Sequence, residues 1–162
     1  MLIEGSKILR APRAAVWQAL NDPAFLERAI PGCRRVSRVS PTELELGLSA
    51  AVGPIKTSFD SRLSISDVVE QRSYVLSGQG DAGPAGSASG KVRVALDDVD
   101  GGTRLDYSAE TQVTGRVAQL GTRLIDSAAR RFSEEFFANV AGQCGWHGAG
   151  RRRRASRTGR AG

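Results

Sequence analysis

The sequence predicts an α+β domain, a curved antiparallel sheet of seven strands closed over one long C-terminal helix, with two short helices after the first strand. Two observations carry this reading. From Cys33 to Val113, apolar and polar residues alternate with period two, interrupted by turn residues. After Thr114-Gly115 the period becomes helical and holds for roughly 25 residues, or ~37 Å. A helix that long can bury its apolar stripe only against the concave face of a curved sheet. The whole chain, 162 residues with 40% hydrophobic content, suits one domain.

Each element has a local cause. Residues 2–10 read as the first strand. Pro12 opens a short helix with Val16, Trp17 and Leu20 on its apolar side, since proline's missing N–H costs little in a first turn. Asp22 caps a second helix from Pro23 to Ile30, and Pro31-Gly32 stops it. A short strand covers 33–40, and Pro41-Thr42 turns the chain. Leu44, Leu46, Leu48, Ala50 and Val52 alternate with polar or small residues along the next strand. Val52-Gly53-Pro54 turns into a long strand through Ile55, Thr57, Phe59, Ser61, Leu63 and Ile65. Residues 73–80 form another strand, Asp81 to Gly86 a loop, and 87–97 a strand with Val92, Val94 and Leu96 on one face. Asp100-Gly101-Gly102 is a hairpin turn leading to Leu105, Tyr107, Ala109, Thr111 and Val113. The long helix is expected over 116–140, its stripe made by Val117, Leu120, Leu124, Ala128, Phe132, Phe136 and Val140.

The domain is expected to span residues 1–141, and 142–162 reads as a disordered arginine-rich tail, too polar to offset its ordering entropy. The formal charge of +6 resides there, in Arg151, Arg152, Arg153, Arg154, Arg157 and Arg160. The remaining 17 Lys and Arg equal the 17 acidic residues, so the fold lacks the basic face that nucleic-acid binding needs.

The composition also limits chemistry. Cys33, Cys144 and His147 are three ligands where a Cys/His zinc site needs four, and no metal is expected. His147 lies among glycines, a poor place to hold the base of a catalytic triad. Two distant cysteines and no signal peptide point to a reducing, cytoplasmic setting. No apolar run approaches the ~20 residues of a membrane span. Cys33 reads as a buried structural thiol and Asp97, Asp98 and Asp100 as a solvated acidic turn.

The inward strand positions combine few aromatics with many small residues (Ala50, Thr57, Ser61, Ala88, Gly90, Ala109 and Thr111), which makes the interior hard to fill to normal density. The expected lining is Leu48, Ala50, Phe59, Leu63, Leu76, Tyr107, Leu120 and Leu124, with Gln119 offering a head-group contact. Gly53, Pro54, Gly83, Pro84 and Gly115 lie on three loops expected to rim one end. No catalytic residue is assigned. Asp106 and Glu110 have outward parity, which leaves Tyr107 without an acid–base partner. Trp146 and the run Arg151–Arg154 are candidates for contact with an anionic membrane or a partner.

The stretches EGSKILRAPRAAVWQALNDPAFLERAIPGC, VGPIKTSF and GTRLDYSAETQVTGRVAQLGTRLID, with the Phe-Phe pair near the helix end, resemble the CoxG family of carbon monoxide dehydrogenase-associated proteins. That family belongs to the helix-grip, START-related (SRPBCC) superfamily. Asn21-Asp22-Pro23 followed by Ile30-Pro31-Gly32-Cys33 is the most specific part. The resemblance implies a helix-grip fold with a cavity for a hydrophobic small molecule, a quinone or similar lipid, and no other cofactor. It further implies a non-enzymatic carrier, accessory to a molybdenum hydroxylase of the carbon monoxide dehydrogenase type and peripheral on the inner face of the cell membrane. Relatives in the superfamily include cyclases and hydratases of polyketide-like substrates, so an enzyme using the same cavity is the competing expectation.

Overall fold

The computed structural model describes residues 2–143. Its elements are β1 (Leu2–Leu9), α1 (Arg13–Leu20), α2 (Pro23–Ala29), β2 (Cys33–Ser40), β3 (Glu43–Val52), β4 (Ile55–Val69), β5 (Ser73–Asp81), β6 (Ser87–Val99), β7 (Gly102–Thr114) and α3 (Thr122–Gln143). The sheet runs β1-β7-β6-β5-β4-β3-β2, every neighbouring pair antiparallel. Five hairpins follow one another from β2 to β7, and β1 then pairs with the last strand, which leaves β1 and β2 as the edges. This is an α+β, helix-grip architecture.

The Asp22 carboxylate accepts a hydrogen bond from the Ala24 N–H at 3.0 Å, and Pro23 opens α2 at the position where its missing donor is harmless. Pro12 stands one step outside its helix, in an extended conformation at the cap, so α1 begins at Arg13. Asn139 ties α3 to α2 by donating to the Ala29 carbonyl at 2.9 Å. The Glu27 carboxylate accepts from the Val36 N–H at 3.2 Å and ties α2 to β2.

The helical period after Gly115 is not one helix. Ala118–Leu120 form a short 3-10 turn, and Gly121, at φ 94°, separates it from α3. No α-helix passes through that φ, so α3 starts at Thr122 rather than 116, and it continues to Gln143. The break also shifts the phase of the stripe. Leu124 and Phe132, expected inward, are 41% and 38% exposed, whereas Phe137 and Val140 are 9% and 1% exposed.

The apolar interior is divided. A large cluster near α1 and α2 holds Val16, Phe25, Leu44, Leu96, Leu105 and Val140, with others. A small one at the opposite end holds Ala82, Ala85 and Val117, with Phe59 and Ile125 packed against it. Thr103 is the one buried polar residue of the described core. Its hydroxyl donates to the Ala11 carbonyl at 2.6 Å and pins the β1–α1 junction to β7. Thr103→Val keeps the shape and strands that carbonyl, so it should lower the unfolding free energy by about 1–3 kcal/mol in urea titrations. A change within ~0.5 kcal/mol, the usual range for surface substitutions, would show that the bond contributes little.

Candidate ligand-binding site

Register places the predicted lining on one face. Leu48 lies opposite Phe59, Ala50 opposite Thr57, Leu63 opposite Gly78, and Leu76 opposite Val92. Tyr107 lies between Val94 on β6 and Gly5 on β1. Its ring stacks on Phe137 of α3 with centroids 5.0 Å apart, which identifies this face as the one beneath the helix.

Burial along that face is uneven. Near α1 and α2, Leu44, Leu96 and Leu105 are at most 2% exposed. Farther along the same strands, Leu48, Ala50, Phe59, Leu63, Leu76, Val92, Tyr107 and Ala109 are only half-buried, although they point the same way. Side chains that face a helix and still meet solvent border space that the helix does not fill. The sequence accounts for it, because Gly78 faces Gly90 and Gly80 faces Ala88 across β5 and β6, where no long side chain can bridge to α3.

Three connections converge at the end away from α1 and α2. The β3–β4 turn rests on the start of α3, where a Cβ on Gly53 would lie 3.3 Å from Leu124 Cδ1 and 3.8 Å from Leu120 Cδ1. Pro54 follows in that turn. Gly83, Pro84 and Ala85 form a 3-10 turn whose last carbonyl accepts from the Val117 N–H at 2.9 Å, and Gly86 abuts Gly115. Gln119 is exposed on its own 3-10 turn, and the structure does not bring it among the lining residues. Trp146 and Arg151–Arg154 lie outside the described residues.

Phe137, Gly5 and Arg130 join the site without any sequence signal that singles them out. Gly5 matters because a Cβ there would lie 2.5 Å from the Tyr107 hydroxyl oxygen, so the bare backbone is what lets the phenol lie across β1. Arg130 Nε donates to Asp126 at 2.8 Å. Its pKa is raised first by that hydrogen bond and its charge, with the Tyr107 phenol adding in the same direction. Cys33 is half-buried rather than buried. Its thiol donates to the Arg35 carbonyl at 3.3 Å, and burial pushes its pKa up, away from the reactive thiolate. Asp97 pairs with Arg104 at 2.9 Å and Arg72 at 3.6 Å, and Asp98 with Arg13 at 3.7 Å.

The outer face of the sheet carries two open depressions. One, of about 700 Å³, is bordered by Glu4, Ser6, Val75, Arg93, Asp106 and Ser108. The other, of about 940 Å³, is bordered by Arg35, Glu45, Asp60, Arg62, Gln79 and Ser89. Their charges are engaged with one another, as in Arg62–Glu45 at 2.7 Å and Arg35–Asp60 at 3.6 Å. Shallow, mixed-charge surface of this kind suits an apolar ligand less well than the space under α3. Among the described residues, no group of three His, Cys, Asp or Glu could hold a metal ion, and no helix is long and apolar enough to cross a membrane.

Known proteins with this architecture bear on the site. A conserved protein from Geobacillus kaustophilus superposes with a TM-score of 0.83 at 25% identity, covering 89% of this chain and 95% of that one. A START superfamily protein from Mycobacterium smegmatis gives a TM-score of 0.68 at 11% identity, over 88% and 96% of the two chains. The ZhuI aromatase/cyclase from Streptomyces sp. R1128 gives 0.65 at 15% identity, over 89% and 93%. Among curated proteins no sequence matches. The family of CoxG, described as a carbon monoxide dehydrogenase subunit, matches residues 5–145, nearly the full length of the domain. With the START-like fold and that match together, the chain belongs to the CoxG family.

Proposed function

We propose that this protein is a non-enzymatic carrier that holds a hydrophobic small molecule, a quinone or similar lipid, between the sheet and α3. In this reading it serves a molybdenum hydroxylase of the carbon monoxide dehydrogenase type and brings that enzyme to an anionic membrane surface. The observation that supports binding is the run of half-buried apolar side chains beneath α3, flanked by fully buried ones. Enclosing apolar surface contributes about 25 cal/mol per Å². The family description supports the choice of partner. The competing reading, a cyclase or hydratase, has support from the aromatase/cyclase likeness in fold alone. Tyr107 has neither a carboxylate nor a histidine paired with its hydroxyl among the described residues, and proton transfer needs such a partner.

Ala109 tests the site. It lies at the middle of β7 between Ile3 and Val92, half-buried and facing α3. Ala109→Trp should fill the space and weaken binding of the fluorescent probe N-phenyl-1-naphthylamine by at least about tenfold, the equivalent of ~1.4 kcal/mol. The melting temperature should move by only a few degrees. Undiminished probe binding by a folded variant, or no binding by the wild type, would refute the cavity.

A further inference from the structure

The proposed cavity has one polar corner, and its place in the fold is specific. Tyr107 is the lining residue with a hydroxyl on a long arm. Its ring is fixed from one side by the Phe137 stack at 5.0 Å and from below by Gly5, whose missing side chain leaves the phenol lying across β1. The hydroxyl is therefore held at the β1 edge of the sheet, under the flank of α3. No hydrogen-bond partner for it exists among the described residues.

Arg130 joins it by helix geometry. It precedes Phe137 by two turns, which at 3.6 residues per turn puts both on the same flank of α3. Only its Nε is engaged, by Asp126, and the ion pair holds the guanidinium plane at the helix surface while its two terminal nitrogens remain available to donate. The rest of the lining is aliphatic, small or phenylalanine. A ligand with one polar end and an apolar body would thus be oriented, with the apolar body over Leu63, Leu76 and Phe59.

We propose that Tyr107 and Arg130 form the head-group subsite of the cavity, selecting ligands that carry an acceptor oxygen, a ring carbonyl or a carboxylate, over plain hydrocarbons. This rests on the carrier reading above. Tyr107 Oη donates to the oxygen, and a terminal nitrogen of Arg130 supplies the second donor. Both are donors to the ligand in its ground state, so their effect is on affinity and orientation. Gly5 acts as a positioning residue, since any side chain there displaces the phenol.

Three probes on one naphthalene frame separate the parts: 2-methylnaphthalene, 2-methyl-1,4-naphthoquinone and 2-naphthoate, each measured by competition with N-phenyl-1-naphthylamine. In Tyr107→Phe, which keeps the stack, affinity for the quinone and the naphthoate should fall about tenfold, while the hydrocarbon stays within about twofold. Arg130→Gln should weaken the naphthoate most. Loss confined to the quinone identifies a ring carbonyl as the natural head, and loss confined to the naphthoate a carboxylate; either supports the subsite. Equal losses for all three probes would show that Tyr107 only shapes the cavity. No loss for either oxygenated probe would place the head elsewhere. If 2-methylnaphthalene fails to bind the wild type, the carrier reading itself falls.

Discussion

Replacing Gly32 by alanine is expected to cost about 3–5 kcal/mol of stability, the range reached when a backbone position is both strained and sterically blocked. Gly32 adopts φ 72°, where an L side chain is disfavoured. A Cβ there would also overlap the Ser49 carbonyl oxygen, a backbone atom that cannot rotate away. Ser49 cannot retreat cheaply, because its N–H donates to the Gly32 carbonyl at 2.8 Å and β3 is hydrogen-bonded to β4 through Ser49–Ser58. The junction fixes where α2 ends and β2 begins, so a shift would pass to Phe25 and Leu26 in the core. Gly121→Ala is the control. Its φ of 94° is also unfavourable, yet nothing lies within 4 Å of the added Cβ, so the cost should be nearer 1 kcal/mol. Urea midpoints measure both. Equal losses in the two variants would mean that backbone preference alone, and not the contact with Ser49, sets the requirement for glycine.

Deleting residues 144–162 is expected to abolish sedimentation with vesicles rich in anionic lipid and to leave the melting temperature within a few degrees. The deletion removes six arginines and Trp146, and the rest of the chain is then formally neutral. Arginines near an anionic bilayer contribute about 1 kcal/mol each, so the whole set is large compared with anything the neutral domain offers. The wild-type interaction should also weaken as salt rises, since exposed charges are screened over ~10 Å at 0.1 M. Full-length protein that ignores the vesicles at low salt would direct the tail to an acidic surface on the partner enzyme instead. Unfolding on deletion would make the segment structural and end this reading.

Local signals in the sequence read accurately. Asp22-Pro23 foretells the cap of α2 because capping needs only adjacent residues. Alternation sets the face of Leu48, Phe59, Leu63 and Leu76 because a strand's period is fixed. Gly121 misleads because a glycine inside an apolar stripe is compatible with a helix that continues or one that restarts, and only the backbone angle decides. That ambiguity carries Leu124 and Phe132 inward and hides Phe137, whose role depends on the true phase of α3. Gly5 and Tyr107 stand far apart in the chain, and no periodicity reveals that β1 pairs with β7 in that register. The rim is legible because turns at the same end of consecutive hairpins must be neighbours, whereas Gln119 depends on a helix that begins later than its apolar stripe suggests.

The division of the interior into two apolar clusters separates two kinds of selection. The residues that make folding cooperative, such as Val16, Leu96, Leu105 and Val140, sit beside α1 and α2 and border no unfilled space. Those along the half-filled stretch, such as Ala50, Leu76 and Ala109, are already partly solvated, so exchanging one aliphatic side chain for another removes little buried area. Cargo preference can therefore drift from lineage to lineage through the second set while the first stays constant. A scaffold arranged in this way can acquire new ligands without first acquiring spare stability.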